Sequence, residues 1–205
     1  GLGDVYKSQD QILAVSGQLN NTMYGKSVRP PQPPGLWEMV NMVANRPYVP
    51  DSDDNIYRRS LYTFWRRAIP PPQMTIMNAP SREYCLPRRE RTNTSLQALL
   101  MMNEEEYFKA AKTCAKQTLE ETDGLESGLR LTYEKITSHL PAKERLELMK
   151  ETFVEFSEIY QNNAALTESL TPELNGTDFS KRVELAAWTM MTHSLLNLEL
   201  AKVRR

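Results

Sequence analysis

The sequence predicts an all-α protein, with a helical bundle in the C-terminal half and an irregular Pro/Arg-rich N-terminal half of short helices and ordered loops packed on it. Eleven of the 13 prolines lie between Pro30 and Pro87. Proline removes a backbone donor and fixes φ, so this half cannot consist mainly of long helices. That half also has few valines and isoleucines and little alternation, which argues against a sheet. The other half repeats apolar residues at the helical spacing of three and four.

Three short helices are expected in the N-terminal half. The first covers residues 10–16 and ends at Gly17, which suits the left-handed conformation that follows many helices. The second covers residues 36–43. The third covers residues 53–68, because it begins with two aspartates, which favour a helix N-terminus, and ends before three prolines. The apolar faces are Trp37, Val40 and Ala44 in the second helix, and Leu61, Phe64, Trp65 and Ala68 in the third.

Two capping signals begin the C-terminal half. Thr94 and Gln97 form a capping box, in which the threonine hydroxyl caps the helix and the glutamine side chain reaches back to the threonine amide. Asn103, followed by three glutamates, repeats the signal and predicts a helix that runs to Thr122 and closes at Gly124. The apolar residues of this helix keep the helical spacing: Tyr107, Ala110, Ala111, Cys114, Ala115 and Leu119.

Three further helices and one loop complete the predicted bundle. One helix covers residues 125–140, and Pro141 takes the first position of the next, where a missing N–H is tolerated. Residues 162–179 are expected to form a loop. A final helix runs to about residue 203 and is apolar around most of its circumference, which predicts a central position. The helix after Pro141 has the stripe Leu146, Met149, Phe153, Phe156 and Tyr160, and the final helix has Asp178 or Ser180 as its cap.

The length and the charge balance limit the class of protein. Residues 1–205 are expected to form a single domain, with 1–93 as the irregular part and 94–205 as the helical part. Because the first residue is Gly1 rather than Met, we expect this domain to be excised from a larger multidomain protein. The 25 basic and 26 acidic residues give a charge of −1, which argues against nucleic acid as a partner. The longest apolar run, 96–102, is too short for membrane insertion.

Cysteine usage excludes the common metal and haem motifs. The chain has two cysteines, Cys85 and Cys114, and neither belongs to a motif with the spacing of a zinc, iron–sulfur or haem c site. We therefore expect no metal site and no cofactor in this chain. The two thiols either form one disulfide in an oxidising compartment or stay separate and buried, and separate buried thiols are favoured.

The densest chemical signal is a cluster of arginines between residues 58 and 91. Eight arginines and no lysine face two glutamates there, a charge of +6, so the rest of the chain carries −7. Arginine at every basic position indicates planar, multi-donor hydrogen bonding. One interpretation is a site for carboxylate, sulfate or phosphate groups. Its candidate ligand-binding residues are Arg58, Arg59, Arg66, Arg67, Arg82, Glu83, Arg88, Arg89, Arg91 and Asn93.

The other interpretation of this cluster is structural, and it is favoured. The guanidinium groups would bind the carbonyls of proline-rich loops, which lack secondary structure and need partners for their backbone. We therefore predict that most of the cluster is at least half buried and bonded to loop carbonyls or carboxylates. That prediction concerns Arg58, Arg59, Arg82, Arg88, Arg89 and Arg91.

Signals for catalysis are weak, and no catalytic residue is assigned. The two histidines, His139 and His193, lie in different predicted helices and lack the companions of a nucleophilic triad. Glu83 and Glu90 stand beside arginines, which lower a carboxylate pKa and favour salt bridges over general-base chemistry. The eight glycines are scattered and form no phosphate-binding loop. Activity from this domain alone is therefore not expected.

Two long stretches of the chain resemble one known family. They read NIYRRSLYTFWRRAIPPP at residues 55–72 and NAPSREYCLPRRERTNTSLQAL at residues 78–99. They are similar to the planctomycete cytochrome-linked domain of unknown function, the C-terminal domain of large proteins that often carry a haem c module. Asn78 and Ser95 depart from the family pattern, which has aspartate and proline at these positions.

The resemblance implies an exported, extracytoplasmic protein and no established activity. We interpret the chain as a non-catalytic interaction or scaffold module of a larger extracytoplasmic, cytochrome c-linked protein, with haem c in other domains. Its expected partners are the neighbouring domains and an anionic small molecule or carbohydrate bound by the arginine cluster. The alternative is that the arginines and Glu83 contribute to an active site shared with a neighbouring domain that acts on polysaccharide. A scaffold that binds no ligand is the third alternative.

Overall fold

The computed structural model describes residues 4–33, 35–37, 48–52, 54–80, 83, 92 and 94–202. Over these ranges the protein is all-α, as the sequence predicts, with nine α-helices, three short 3₁₀ turns and no β-strand. The chain divides into two compact units, one comprising Gly1–Ala14 and Gln18–Leu100 and the other comprising Val15–Gly17 and Met101–Arg205. The expectation that residues 1–205 form one domain stays a prediction.

Helix α1 (Asp4–Val15) begins earlier than the sequence predicts and ends where predicted. Gly17 has a φ of +69°, the left-handed conformation that terminates many helices. The amides of Gln18 and Leu19 both donate to the carbonyl of Leu13, at 2.9 and 3.0 Å. These bonds satisfy a carbonyl that the end of the helix would otherwise leave without a partner.

The predicted helix over residues 53–68 is wrong. The structure has two 3₁₀ turns there, Asp54–Tyr57 and Ser60–Tyr62. Between and after the turns, the backbone pairs with the preceding loop at residues 20–28. The bonds run from Asn20 N to Tyr57 O (3.0 Å), from Val28 N to Tyr62 O (2.8 Å) and from Phe64 N to Val28 O (2.7 Å). The loop obtains backbone partners in this way, so tertiary pairing overrides the helical spacing.

The three prolines that were predicted to end a helix begin a short one. Helix α2 is Pro72–Ile76, with Pro72 in its first turn, where the missing N–H of proline is harmless. The other predicted helix of this half, residues 36–43, lies mostly outside the described residues. Residues 35–37, which are described, form a turn.

Helix α3 (Ser95–Asn103) confirms the predicted capping box. The amide of Gln97 donates to Thr94 Oγ1 at 3.2 Å, and the amide of Thr94 donates to Gln97 Oε1 at 3.1 Å. The sequence also predicts that a new helix begins at Asn103, and a helix does begin two residues later, at Glu105. The predicted capping residue is wrong, because Asn103 is the last residue of α3 and the N-cap is Glu104, which makes no side-chain capping bond.

The second unit is a bundle built around α8. Its helices are α4 (Glu105–Glu121), α5 (Leu125–Thr137), α6 (Lys143–Asn162), α7 (Ala164–Leu170), α8 (Phe179–Leu196) and α9 (Glu199–Lys202). Helix α8 packs mainly against α4 and α6, and twelve of its residues are buried. The prediction that the last long helix is central is confirmed. Small residues such as Ala186 and Ala187 allow this close packing on several sides.

Three boundaries in the bundle differ from the sequence predictions. The predicted loop 162–179 contains α7, which Asn163 caps by accepting the amide of Leu166 at 3.1 Å. Helix α6 begins after the N-cap Ala142, so Pro141 precedes the helix. The final helix is interrupted between α8, which has Asp178 as its cap, and α9.

Candidate functional site

Arg58 is the arginine of the predicted site with the most extensive bonding among the described residues. Its guanidinium group donates from Nε (3.2 Å) and Nη2 (3.0 Å) to Thr22 O. It also donates from Nη1 to Lys26 O at 3.0 Å and from Nη2 to Tyr24 O at 2.5 Å. The residue is only 5% exposed. These contacts support the structural interpretation at this position, because one fork collects three loop carbonyls.

The ring of Tyr62 completes the surroundings of Arg58. The guanidinium carbon lies 3.8 Å from the ring centroid, a cation–π contact. The Tyr62 hydroxyl in turn accepts the amide of Tyr24 at 2.8 Å. The loop at residues 20–28 is thus held by both its carbonyls and an amide, although it has no secondary structure of its own.

Arg59 is more exposed than its neighbour. Its side chain is 48% exposed, and its Nε lies 3.8 Å from Asp10 Oδ2. The other carboxylate oxygen of Asp10 accepts the amide of Ser60 at 2.6 Å. Asp10 therefore joins α1 to the 3₁₀ turn, and Arg59 makes a peripheral ion pair of the kind that contributes little to stability.

Arg66 and Arg67 present guanidinium groups that no acceptor among the described residues holds. Arg66 lies 5.5 Å from the ring centroid of Trp37, and within the described ranges its guanidinium makes no hydrogen bond or ion pair. Arg67 is exposed and makes no bond, ion pair or ring contact to any described residue. These two residues are therefore the described arginines best placed to bind a ligand.

An aromatic cluster lies beside Arg66. Trp37 stacks on Tyr48 with 4.6 Å between ring centroids and 19° between planes, and it lies 6.1 Å from Phe64. Tyr48 donates its hydroxyl to Pro30 O at 2.7 Å, and burial raises the pKa of Tyr48 to about 12. The cluster supplies local packing in a region of little regular secondary structure.

The remaining residues of the predicted site fall largely outside the described ranges. Glu83 is described and exposed. The other members, Arg82, Arg88, Arg89, Arg91 and Asn93, lie outside the described residues, as do Cys85 and Glu90. Ligand binding by the arginine cluster therefore stays a prediction.

His193 and Cys114 of the second, helical unit are both engaged in its core. Nε2 of His193 lies 2.9 Å from Met101 O, and its ring meets Phe108 edge-on at 5.2 Å. Burial lowers the pKa of His193, although the Met101 carbonyl opposes the shift. Cys114 is a buried free thiol, and burial raises its pKa to about 11. A thiol with a raised pKa is a poor nucleophile.

Two lysines and one glutamate clamp the connection that follows α7. Lys112 Nζ donates to Leu170 O at 2.6 Å and to Glu173 Oε2 at 2.7 Å. Lys116 Nζ binds the other oxygen, Glu173 Oε1, at 2.8 Å. From α8, Arg182 donates to Thr171 Oγ1 at 3.1 Å and to Asn175 Oδ1 at 3.2 Å. This Lys112–Glu173 clamp is not evident in the sequence, since its partners come from distant segments.

A cleft of about 770 Å³ opens beside the clamp, and we name it the bundle cleft. Its walls come from α4, the α4–α5 turn, α6, the segment after α7, and α8. Apolar side chains form its floor: Leu119, Leu125, Phe153, Leu174, Leu185 and Trp188. Its charged lining residues are Lys116, Glu120, Asp123, Lys181 and Glu184. The sequence does not reveal this site, because each helix contributes between one and four residues that look like ordinary core or surface positions.

Trp188 fixes the shape of the bundle cleft. Its ring lies 4.8 Å from that of Phe153 at an angle of 56°. A Cβ added at Gly128 would lie 2.6 Å from Cη2 of Trp188, closer than two such atoms can approach. A glycine on α5 therefore makes room for the indole.

The described residues form neither a metal-binding cluster nor a membrane-spanning helix. No three histidine, cysteine or acidic side chains among the described residues stand close enough to hold a metal ion. None of the described helices combines the length and apolar character that a membrane span requires.

Comparison with known protein families identifies a match over most of the chain. The family model described as "PSD1: Protein of unknown function (DUF1553)" matches residues 6–153. No curated protein and no solved structure matches the chain.

Proposed function

Since the chain belongs to the PSD1 family of proteins of unknown function (DUF1553), we propose a function from its own residues. The chain is a non-catalytic interaction module of a larger extracytoplasmic, cytochrome c-linked protein. Its partners are the neighbouring domains and an anionic carbohydrate or small molecule. The export and the haem c of other domains rest on the resemblance of residues 55–72 and 78–99 to cytochrome-linked proteins.

The observation that carries the proposal is the contrast between Arg58 and its neighbours in the same motif. The donors of Arg58 bind three loop carbonyls, and the residue is buried. Arg66 and Arg67 hold no acceptor among the described residues, so their donors are available to a ligand. Arg58 holds the loop at residues 20–28 together, whereas Arg66 and Arg67 offer their positive charge to a ligand.

An anion with a sugar ring suits these residues best. A guanidinium fork binds sulfate or carboxylate in a bidentate manner. The rings of Trp37 and Tyr48 stack on each other and Arg66 lies over Trp37, so a sulfated or carboxylated sugar would meet the guanidinium groups beside an aromatic cluster. The neutral pI of 6.2 argues against nucleic acid as the anionic partner.

The test is a calorimetric titration with sucrose octasulfate, a compact polysulfated sugar. The double variant R66A/R67A is expected to bind about tenfold more weakly than the parent, a loss of about 1.4 kcal/mol. The matched control is K143A/R145A, which removes two exposed cations from α6. The proposal fails if the parent does not bind the sugar, or if both variants lose affinity equally.

The alternative function is a contribution to an active site shared with a neighbouring domain that acts on polysaccharide. Glu83 favours it, because this carboxylate is exposed within the arginine-rich motif. Turnover of sulfated polysaccharide by the whole parent protein distinguishes the two functions. A shared active site predicts that E83Q abolishes turnover while E144Q, an exposed carboxylate of α6, leaves it intact. A binding module predicts that neither variant changes turnover.

A further inference from the structure

We propose that the bundle cleft binds a basic peptide segment of a neighbouring domain, with an apolar side chain on the cleft floor and flanking lysine or arginine side chains at its rim. This site lies in the helical unit and involves none of the arginines of the predicted anion site. The inference rests on the neighbouring domains of the proposed function, whereas it does not depend on anion binding by the arginines.

The rim of the bundle cleft has an excess of uncompensated negative charge. Glu120, Asp123 and Glu184 are exposed, and none of them forms an ion pair with a described residue. Lys116 forms an ion pair, because its Nζ lies 2.8 Å from Oε1 of Glu173, a carboxylate that it shares with Lys112. Lys181 is the remaining basic residue of the lining, so three unpaired carboxylates face one unpaired cation. This charge pattern is complementary to a partner with more than one positive group.

The three carboxylates come from separate parts of the rim. Glu120 lies on α4, Asp123 in the α4–α5 turn and Glu184 on α8. A single small amine satisfies only a local part of such a rim. Two or more basic side chains projecting from one backbone reach the separated carboxylates together, which favours a peptide as the occupant.

The floor and the volume of the cleft suit an apolar side chain between those basic residues. Six apolar residues line it, including the Phe153–Trp188 pair at 4.8 Å. Its volume of about 770 Å³ lies within the usual range of ligand sites, roughly 300–1,000 Å³. Burial of an apolar side chain supplies the affinity that exposed ion pairs do not provide by themselves.

Two features of the bundle fix the walls of the cleft. The Lys112–Glu173 clamp fixes the segment that carries Leu174 and Thr177 on one wall. On the floor, Gly128 leaves the space that the indole of Trp188 occupies. A site with fixed walls loses little conformational entropy on binding.

The probe is a capped tripeptide of lysine, phenylalanine and lysine, titrated at low salt and followed by calorimetry. Two comparison peptides replace either both lysines by glutamate or the phenylalanine by glycine. The parent protein is expected to bind the first peptide at least tenfold more tightly than either comparison peptide. The double variant E120Q/E184Q is expected to weaken that binding about three- to tenfold, in keeping with two exposed ion pairs.

The matched control is E134Q/E144Q, which removes two exposed carboxylates of α5 and α6 that do not line the cleft. It carries the same change in net charge and is expected to bind like the parent. All variants alter exposed side chains, and unchanged thermal melting of each confirms that it is folded. The proposal is overturned if the control variant loses as much affinity as E120Q/E184Q, or if the glutamate peptide binds as well. It is also overturned if phenethylamine binds as tightly as the lysine peptide, since the site would then be one for small amines.

Discussion

Arg58 performs locally the role that a strand partner performs in a sheet. The loop at residues 20–28 has backbone groups that no regular element satisfies, and one guanidinium binds the carbonyls of Thr22, Tyr24 and Lys26. A lysine cannot replace it, because an ammonium group lacks the planar fork that reaches several acceptors at once. Arginine at this position is thus explained by geometry as well as by charge.

Replacing Arg58 by alanine is expected to destabilise the protein by about 1–3 kcal/mol. The loop around the three carbonyls is exposed, so water replaces some of the hydrogen bonds that Arg58 donated. The loss of stability is therefore close to that of leaving one buried carbonyl without a partner. The variant R58K should recover less than half of the loss. Urea unfolding measures the stability of R58A and R58K. The control is R67A, which should unfold at the same urea concentration as the parent. If R58A and R67A have the same free energy of unfolding, the loop does not depend on the guanidinium group of Arg58.

Gly128 is a second position where one residue determines its surroundings. A Cβ there meets Cη2 of Trp188 at 2.6 Å and Cζ2 at 2.9 Å, and the indole is buried. Alanine would otherwise favour a helix over glycine by about 0.5–1 kcal/mol. The sign of the effect therefore depends on whether the ring can move.

We expect Gly128→Ala to destabilise the protein by about 1–2 kcal/mol, because displacing a packed indole costs more than the helix gains. The change in Trp188 packing should alter the near-ultraviolet circular dichroism. The comparison is E134A on the exposed face of the same helix, which should not destabilise it. A stabilised Gly128→Ala protein with an unchanged spectrum contradicts the close packing.

Among the elements, the sequence predicts best those features that depend on residues close together in the chain. The capping box at Thr94 and Gln97 forms as predicted, since both partners lie within one turn. The helix predicted over residues 53–68 does not form, because its backbone pairs with a loop some 30 residues earlier in the chain. The bundle cleft could not be predicted at all, since its lining is assembled from several helices whose packing no local pattern specifies.

The connection after α7 depends on a carboxylate whose titration should be measurable. Burial raises the pKa of Glu173, but hydrogen bonds from Lys112 and Lys116 outweigh it and lower the pKa to about 2. A pKa that is lower in the folded state stabilises the fold above the unfolded value, near 4.5. That contribution is lost as the pH falls from about 4.5 towards 2.

The variant E173Q is expected to be less stable than the parent by about 1–2 kcal/mol at pH 7, after allowance for the partial exposure of the pair. The difference should shrink as the pH falls below 4.5, because the parent then loses its own carboxylate charge. Urea unfolding at pH 7, 4 and 3 provides the measurement, and E144Q is the exposed control. A difference that stays constant with pH would exclude the clamp as its source.

At the scale of the whole molecule, the charges of the chain are distributed unevenly along the sequence. Residues 58–91 carry +6, from eight arginines and two glutamates, and the remainder carries −7. The described part of the arginine motif divides into a buried fork at Arg58 and unpaired guanidinium groups at Arg66 and Arg67. The helical unit has unpaired carboxylates around an apolar cleft. These two features are the ones that we propose as binding surfaces of an interaction module.

The most direct test of this account measures thermal stability and sucrose octasulfate affinity together for R58A and R66A/R67A. The account predicts opposite outcomes for the two variants. R58A should melt several degrees lower, and its folded fraction should keep the parent affinity at a temperature well below the transition. R66A/R67A should melt like the parent and lose about tenfold in affinity. If R58A instead melts like the parent and loses affinity, or if R66A/R67A loses stability and keeps its affinity, the division between a structural and a ligand-binding arginine is wrong.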